Sequence, residues 1–159
     1  MKKSLCLLLV SILFYGCFSS KVDEMNYSKK LVGTWTYIES RDVAGNKIES
    51  NDKRVLMNEP NLVYNADFTY QKIFTPRNSD FGKWKYNPKT MDVRYDLFID
   101  STDFFGKHLI KKGIAKKQKD GKYYQILSDK IAKLTEDEMS IESYGLFLIY
   151  RKTNNTMSR

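Results

Sequence analysis

The chain is expected to fold as an all-β antiparallel structure, a small barrel or sandwich, and three observations carry that expectation. From residue 31 onward, short apolar or alternating runs are separated by turn residues at regular spacing, enough for about eight to ten strands. Residues 91–100, MDVRYDLFID, place Met91, Val93, Tyr95, Leu97 and Ile99 on one face and Asp92, Arg94, Asp96 and Asp100 on the other. That is the period of a half-buried strand. The 159 residues also include 11 tyrosines and 9 phenylalanines, which favour pleated sheet.

The strands are preceded by an export signal. Lys2 and Lys3 make a positive n-region, Leu5 to Tyr15 an apolar h-region, and Gly16 the small residue before a cut. The apolar run is too short to cross a bilayer, which needs about 20 residues. Leu13-Phe14-Tyr15-Gly16-Cys17 resembles a bacterial lipobox. A thiol at the first mature residue can carry diacylglycerol as a thioether, and acyl chains contribute about 0.8 kcal/mol per buried methylene. Residues 1–16 are therefore expected to be a lipoprotein signal peptide and Cys17 the lipidation site. Residues 17–30, polar and mixed in charge, read as a tether. Lys21-Val22-Asp23-Glu24 loosely resembles the basic-then-acidic signals of surface lipoproteins in Bacteroidota.

The domain follows from residue 31 to 152. LVGTWTYIES (31–40) reads as a strand closed by a turn at 42–46, and a short strand is expected at 54–57. LVY (62–64) turns through Asn65-Ala66-Asp67 into FTYQKIF (68–74), and Pro76 to Asp80 reads as a loop. FGKWKYN (81–87), a turn at 87–90 and the strand 91–100 come next. Lys107 to Lys116 and Lys122 to Leu127 flank Lys119-Asp120-Gly121, a hairpin signal. Residues 128–143 read as strand, turn and strand, although Ile131, Leu134 and Glu138 also fit one helical turn. YGLFLIYRK (144–152) is the last strand, and 153–159 form a polar, flexible tail.

Composition removes several function classes. Both cysteines, Cys6 and Cys17, lie in the N-terminal segment, and His108 is the one histidine. The domain therefore has no disulfide, no thiol nucleophile and no His- or Cys-rich metal site, and no cofactor is expected. Asp80, Asp96, Asp100 and Asp103 are close in sequence, as paired catalytic carboxylates can be, but most of them fall at turns or on an outward register. No enzyme activity is expected. Net charge is +8, and +6 without Lys2 and Lys3. Much of it lies in KHLIKKGIAKKQKDGK (107–122), which reads as a solvated hairpin face or a binding patch. Nucleic acid is not an expected partner of an exported chain.

Leu31-Val32-Gly33-Thr34-Trp35 opens the strand series with Gly-x-Trp. Together with LVYNADFTYQKIF, GKWKYN and the closing ILSDKIAKLTEDEMSIES…YGLFLIYRK, it resembles the short lipocalin-like lipoproteins of Bacteroidota over residues 31–152. The resemblance implies an up-and-down β-barrel of about eight strands. It implies that Gly33, Trp35 and Arg151, or Lys152 in its place, close the barrel floor, a cation over the indole being worth about 0.5–2 kcal/mol. It also implies an interior that can hold a small hydrophobic ligand. Tyr70, Trp84, Tyr86, Tyr95 and Leu97 are the candidate ligand-binding residues, with Phe68 and Phe74 on the same face as Tyr70. The same side chains can instead fill the barrel as core.

The expected function is that of an envelope lipoprotein, held in the outer membrane through Cys17, whose barrel binds a small hydrophobic ligand. The alternative is a filled barrel acting as a structural or interaction module for an envelope protein. Phe104-Phe105, with Phe98, is the candidate apolar patch for such a partner.

Overall fold

The computed structural model describes residues 28–49, 52 and 59–153. The signal segment, Cys17, most of the tether, the strand expected at 54–57 and the tail beyond Thr153 lie outside the described residues.

Residues 28–31 make a helical turn that leads into β1 (Gly33–Arg41). The order continues β2 (Lys47–Ile48), β3 (Asn61–Tyr64), β4 (Thr69–Thr75), β5 (Asn78–Asn87) and β6 (Asp92–Ile99). Helix α1 (Phe104–Lys111) follows, then β7 (Lys116–Lys117), β8 (Tyr123–Leu134), β9 (Glu138–Ser143) and β10 (Leu146–Thr153). Strands β1, β3, β4, β5, β6, β8, β9 and β10 pair in that order, and β10 returns to β1. Every pairing is antiparallel, so the meander closes as an eight-stranded up-and-down barrel with no free edge between first and last strand. Short β2 and β7 extend the pairing of β1 and β8 at the rim.

Period-two alternation sorts the side chains. Val93, Tyr95, Leu97 and Ile99 of β6 point inward, as the sequence pattern requires. On β1 a register shift between Tyr37 and Glu39 leaves Ile38 on the exposed side. That bulge lets Trp35, Tyr37 and Ser40 share the interior. The main core runs through the lower barrel, from Trp35 and Leu62 to Tyr86, Tyr95, Ile131 and Tyr150. A second, smaller core of Ile99, Leu109 and Ala115 lies beneath α1.

Three expectations are corrected. Lys107 to Ala115 is a helix and a turn, not a strand, and only Lys116 and Lys117 pair with β8 in the hairpin around 119–121. Asp103 is extended and its carboxylate accepts from the Gly106 N–H, capping α1, while Gly106 and Leu109 form its buried side. Pro76 to Asp80 is not a loop, because only Pro76 and Arg77 turn and β5 begins at Asn78. Residues 128–143 are strand, turn and strand, as first read, and the helical alternative is excluded. A bulge between Ile131 and Lys133 keeps β8 paired with β9, and the Thr135 hydroxyl, bonded at the Glu138 N–H, holds the turn. Met91 sits in the turn before β6 with φ of 56°, not on the strand.

Candidate functional site: the barrel interior

The strands run so that Gly33, the ends of β3, β5 and β10 and the start of β6 gather at one end of the barrel. Here the floor is built on Trp35, which is fully buried. Its indole N–H donates to the Leu31 carbonyl at 2.8 Å. The Lys152 Nζ lies 5.1 Å from the ring centroid and donates to the Lys30 carbonyl at 2.8 Å. Burial holds the Lys152 ammonium below its ordinary pKa, and Glu136 pulls in the opposite direction. Gly33 has φ of 138°, and a Cβ there would stand 2.5 Å from Lys152 Cε. Only glycine fits both demands. Lys152, not Arg151, covers the indole. It is the direct partner of Trp35 across β1–β10, so both face inward, and the neighbouring Arg151 is turned out to solvent.

Above the floor lies an aromatic layer. Tyr70, Trp84, Tyr86 and Tyr95 are 3%, 3%, 1% and 0% exposed. The Tyr70 and Tyr95 rings are 4.8 Å apart, and Tyr64 meets Trp84 edge-on at 5.4 Å. The Tyr64 and Tyr95 hydroxyls are hydrogen-bonded at 2.5 Å, and the Trp84 indole N–H donates to the Asn65 carbonyl at 3.2 Å. Desolvation raises the pKa of Tyr64, Tyr70 and Tyr95, so all three stay neutral hydroxyls at neutral pH. Four of the five expected ligand residues are thus packed against one another or their neighbours. The fifth, Leu97, is half-buried nearer the other end. Phe68 lies outside this layer, half-exposed at a turn with φ of 63° and tilted against Trp84.

A charged pair lies against this layer. Lys72 on β4 and Asp129 on β8 both face inward and pair at 2.8 Å, their side chains 16% and 26% exposed. The Lys72 ammonium also sits 4.2 Å above the Tyr95 ring. Asp80 is the direct partner of Lys72 across β4–β5. Burial raises the Asp80 carboxyl above its ordinary value, with Lys72 acting against the shift. Asp129 is the cross-strand partner of Val93; farther toward the mouth, half-buried Leu127 and Gln125 stand opposite Tyr95 and Leu97.

Helix α1 packs over one side of the mouth. Leu109 meets Ile99, with Leu97, Ile110 and Tyr123 around it. The approach is close: a Cβ at Gly106 would stand 1.8 Å from the Asp100 carbonyl oxygen. Phe98 points outward and stacks on Phe81 at 5.7 Å, with Tyr124 edge-on at 6.0 Å. The carboxylates weighed for acid–base work serve local structure. Asp100 accepts from Thr102, Asp103 caps α1, and Asp96 lies within 4.0 Å of Arg94. His108 is exposed on α1. Among the described residues no three His, Cys, Asp or Glu side chains are placed to hold a metal ion.

Sequence reasoning missed Lys72 and Asp129, and it placed Asp80 at a turn or outward register, whereas Asp80 faces inward on β5 opposite Lys72. The signal was present as parity: Lys72 falls on the register of Tyr70, and Asp129 on that of Leu127 and Ile131. A charge at an apolar register is the mark of an interior polar site.

No family model matches the sequence, and neither does any curated protein. Among solved structures, the chain is similar to a lipocalin-like protein from Bacteroides uniformis, at 15% identity and a TM-score of 0.47, covering 78% of this chain and 99% of that one. It is similar to an uncharacterized protein from Bacteroides eggerthii at 14% identity and a TM-score of 0.46, covering 77% and 99%. A DUF4847 family protein from Bacteroides vulgatus follows at 12% identity and a TM-score of 0.42, covering 78% and 96%. By its own strand order and closure, the domain is a lipocalin-like, eight-stranded up-and-down barrel.

Proposed function

We propose that the protein is a non-enzymatic lipoprotein of the bacterial envelope, held in the outer membrane through an acylated Cys17, whose barrel binds a small hydrophobic ligand with one polar end. The observation that carries this reading is the inward-facing Lys72–Asp129 pair, which keeps 16% and 26% of its side-chain surface exposed although it packs against the buried aromatic layer. Interior charges that still touch solvent imply an upper barrel open to water. Water beside half-buried Leu97 and Leu127 can be displaced by an apolar group at a gain of about 25 cal/mol per Å². The polar end of the ligand would meet Lys72 and Asp129. In this reading Tyr70, Trp84, Tyr86 and Tyr95 form the bottom of the ligand space and Leu97 its wall.

One observation favours the runner-up, a filled barrel used as an envelope interaction or structural module. The four aromatic candidates are at most 3% exposed, as core residues are. Native and denaturing mass spectra of residues 21–159 decide between the two. A released apolar compound, or displacement of a hydrophobic dye by fatty acids, supports the ligand-binding barrel. A clean apo mass with no dye binding overturns it. Anchoring is tested separately on membrane-extracted protein, where an unmodified Cys17 thiol would sink that part.

A further inference from the structure

The segment that packs over the mouth carries two features that its packing does not use. Seven lysines lie between Lys107 and Lys122, against one aspartate, Asp120. None of the seven forms an ion pair among the described residues, whereas Lys30, Lys130 and Lys133 elsewhere pair with Glu136, Glu142 and Glu138. Asp120 is occupied by the Tyr124 hydroxyl and the Lys122 N–H. At the start of the same segment, Phe104 and Phe105 are 89% and 67% exposed. Leu109 and Gly106 already hold α1 to the barrel, so the two rings contribute little to the fold. Phe104, Lys107 and Lys111 stand at i, i+3 and i+7 and share one face of α1.

We propose that this α1–β7 face docks on an anionic phospholipid surface, bringing the barrel mouth against the bilayer. Unpaired lysines are drawn to anionic headgroups, and exposed aromatic rings beside them gain only where an apolar phase can receive them. A duplex nucleic acid or heparin would use the lysines and leave both phenylalanines in water. The docking goes beyond ligand capture and does not depend on it, since solution binding in the barrel needs no membrane. The tether does not forbid it. From Cys17 to Ser28, before the helical turn, the chain can reach about 36–40 Å when extended. The 12 residues of β8 span roughly 40 Å along the strand, which the usual barrel tilt of about 35–45° brings to a height of about 30 Å.

The barrel closes within residues 33–153, so a chain without residues 1–17 keeps every described element. That unacylated chain is floated with vesicles of phosphatidylcholine alone or phosphatidylcholine with phosphatidylglycerol. It is expected to float with the second and not the first, and to release as salt rises. K111A/K112A should weaken binding about thirtyfold. F104S/F105S should weaken it at least tenfold. All four side chains are exposed, so circular dichroism and Tm should not move, and K116A/K117A repeats the charge test from β7 should either variant misfold. Equal binding to both vesicles, no binding to the anionic vesicles at low salt, or unchanged binding in the variants would overturn the proposal. So would binding to heparin or duplex DNA in place of vesicles.

Discussion

Removing one charge of the Lys72–Asp129 pair is expected to cost more than removing both. The two groups stand 2.8 Å apart inside the barrel, mostly shielded from solvent. At an effective dielectric of about 20, their attraction is roughly 6 kcal/mol, most of which offsets the cost of taking the charges out of water. Breaking a fully buried pair from one side costs about 3–5 kcal/mol. Discounted for the surface that these side chains keep, D129L is expected to cost about 2–3 kcal/mol, because Lys72 is left charged in a half-dry barrel. K72M is expected to cost a similar amount. It strands Asp129 and removes a cation from above the Tyr95 ring, itself worth about 0.5–1 kcal/mol. The cycle is run in a D80N background, because the Asp80 carboxylate also faces Lys72; there the double variant K72M/D129L leaves an uncharged layer of similar volume and should lie within about 1 kcal/mol of its D80N parent. The assay is a double-mutant cycle by urea and thermal unfolding at neutral pH. Each kcal/mol moves Tm by about 3–4 °C in a chain of this size. Single variants within about 0.5 kcal/mol of the parent, or a double equal to the sum of the singles, would refute the reasoning. The same double variant should lose affinity for ligands with a polar end and keep it for fully apolar ones.

Three further outcomes follow from the geometry. Trp35→Phe removes the hydrogen bond to the Leu31 carbonyl and opens a cavity in the floor, at a cost of about 2–4 kcal/mol read by chemical denaturation. Gly33→Ala forces a left-handed backbone and a clash with Lys152, and should cost about 1–3 kcal/mol in the same assay. Asp80 carries a raised carboxyl pKa, so the folded state binds its proton more readily than the unfolded one, and ionisation weakens the fold as pH climbs through the raised value. Asp80→Asn should therefore melt higher than the parent at neutral pH. The gain should vanish below about pH 4, and a gain that persists there would show that charge is not the cause.

Much of the barrel was determined by local chemistry. Alternation on β6, the turns at 65–67, 87–90 and 119–121 and the Gly-x-Trp opening depend on neighbours two to four residues apart, and they are readable along the chain. Helix α1 was legible too, in Asp103 as a cap and Leu109 as a core residue, but the lysine-rich run also fits a solvated strand, and only packing against Ile99 decides between them. Three features were set by tertiary structure alone. Closure joins Trp35 to Lys152 across the whole domain, and that register selects Lys152 over Arg151 as the cation on the indole. The interior pair unites Lys72 and Asp129, which are 57 residues apart. The burial of Tyr70, Trp84, Tyr86 and Tyr95 depends on how far each reaches across the barrel. Sequence parity names the residues that point inward. Whether they fill the interior or line it depends on the barrel's width, a property of strand number and stagger that no single stretch of chain contains.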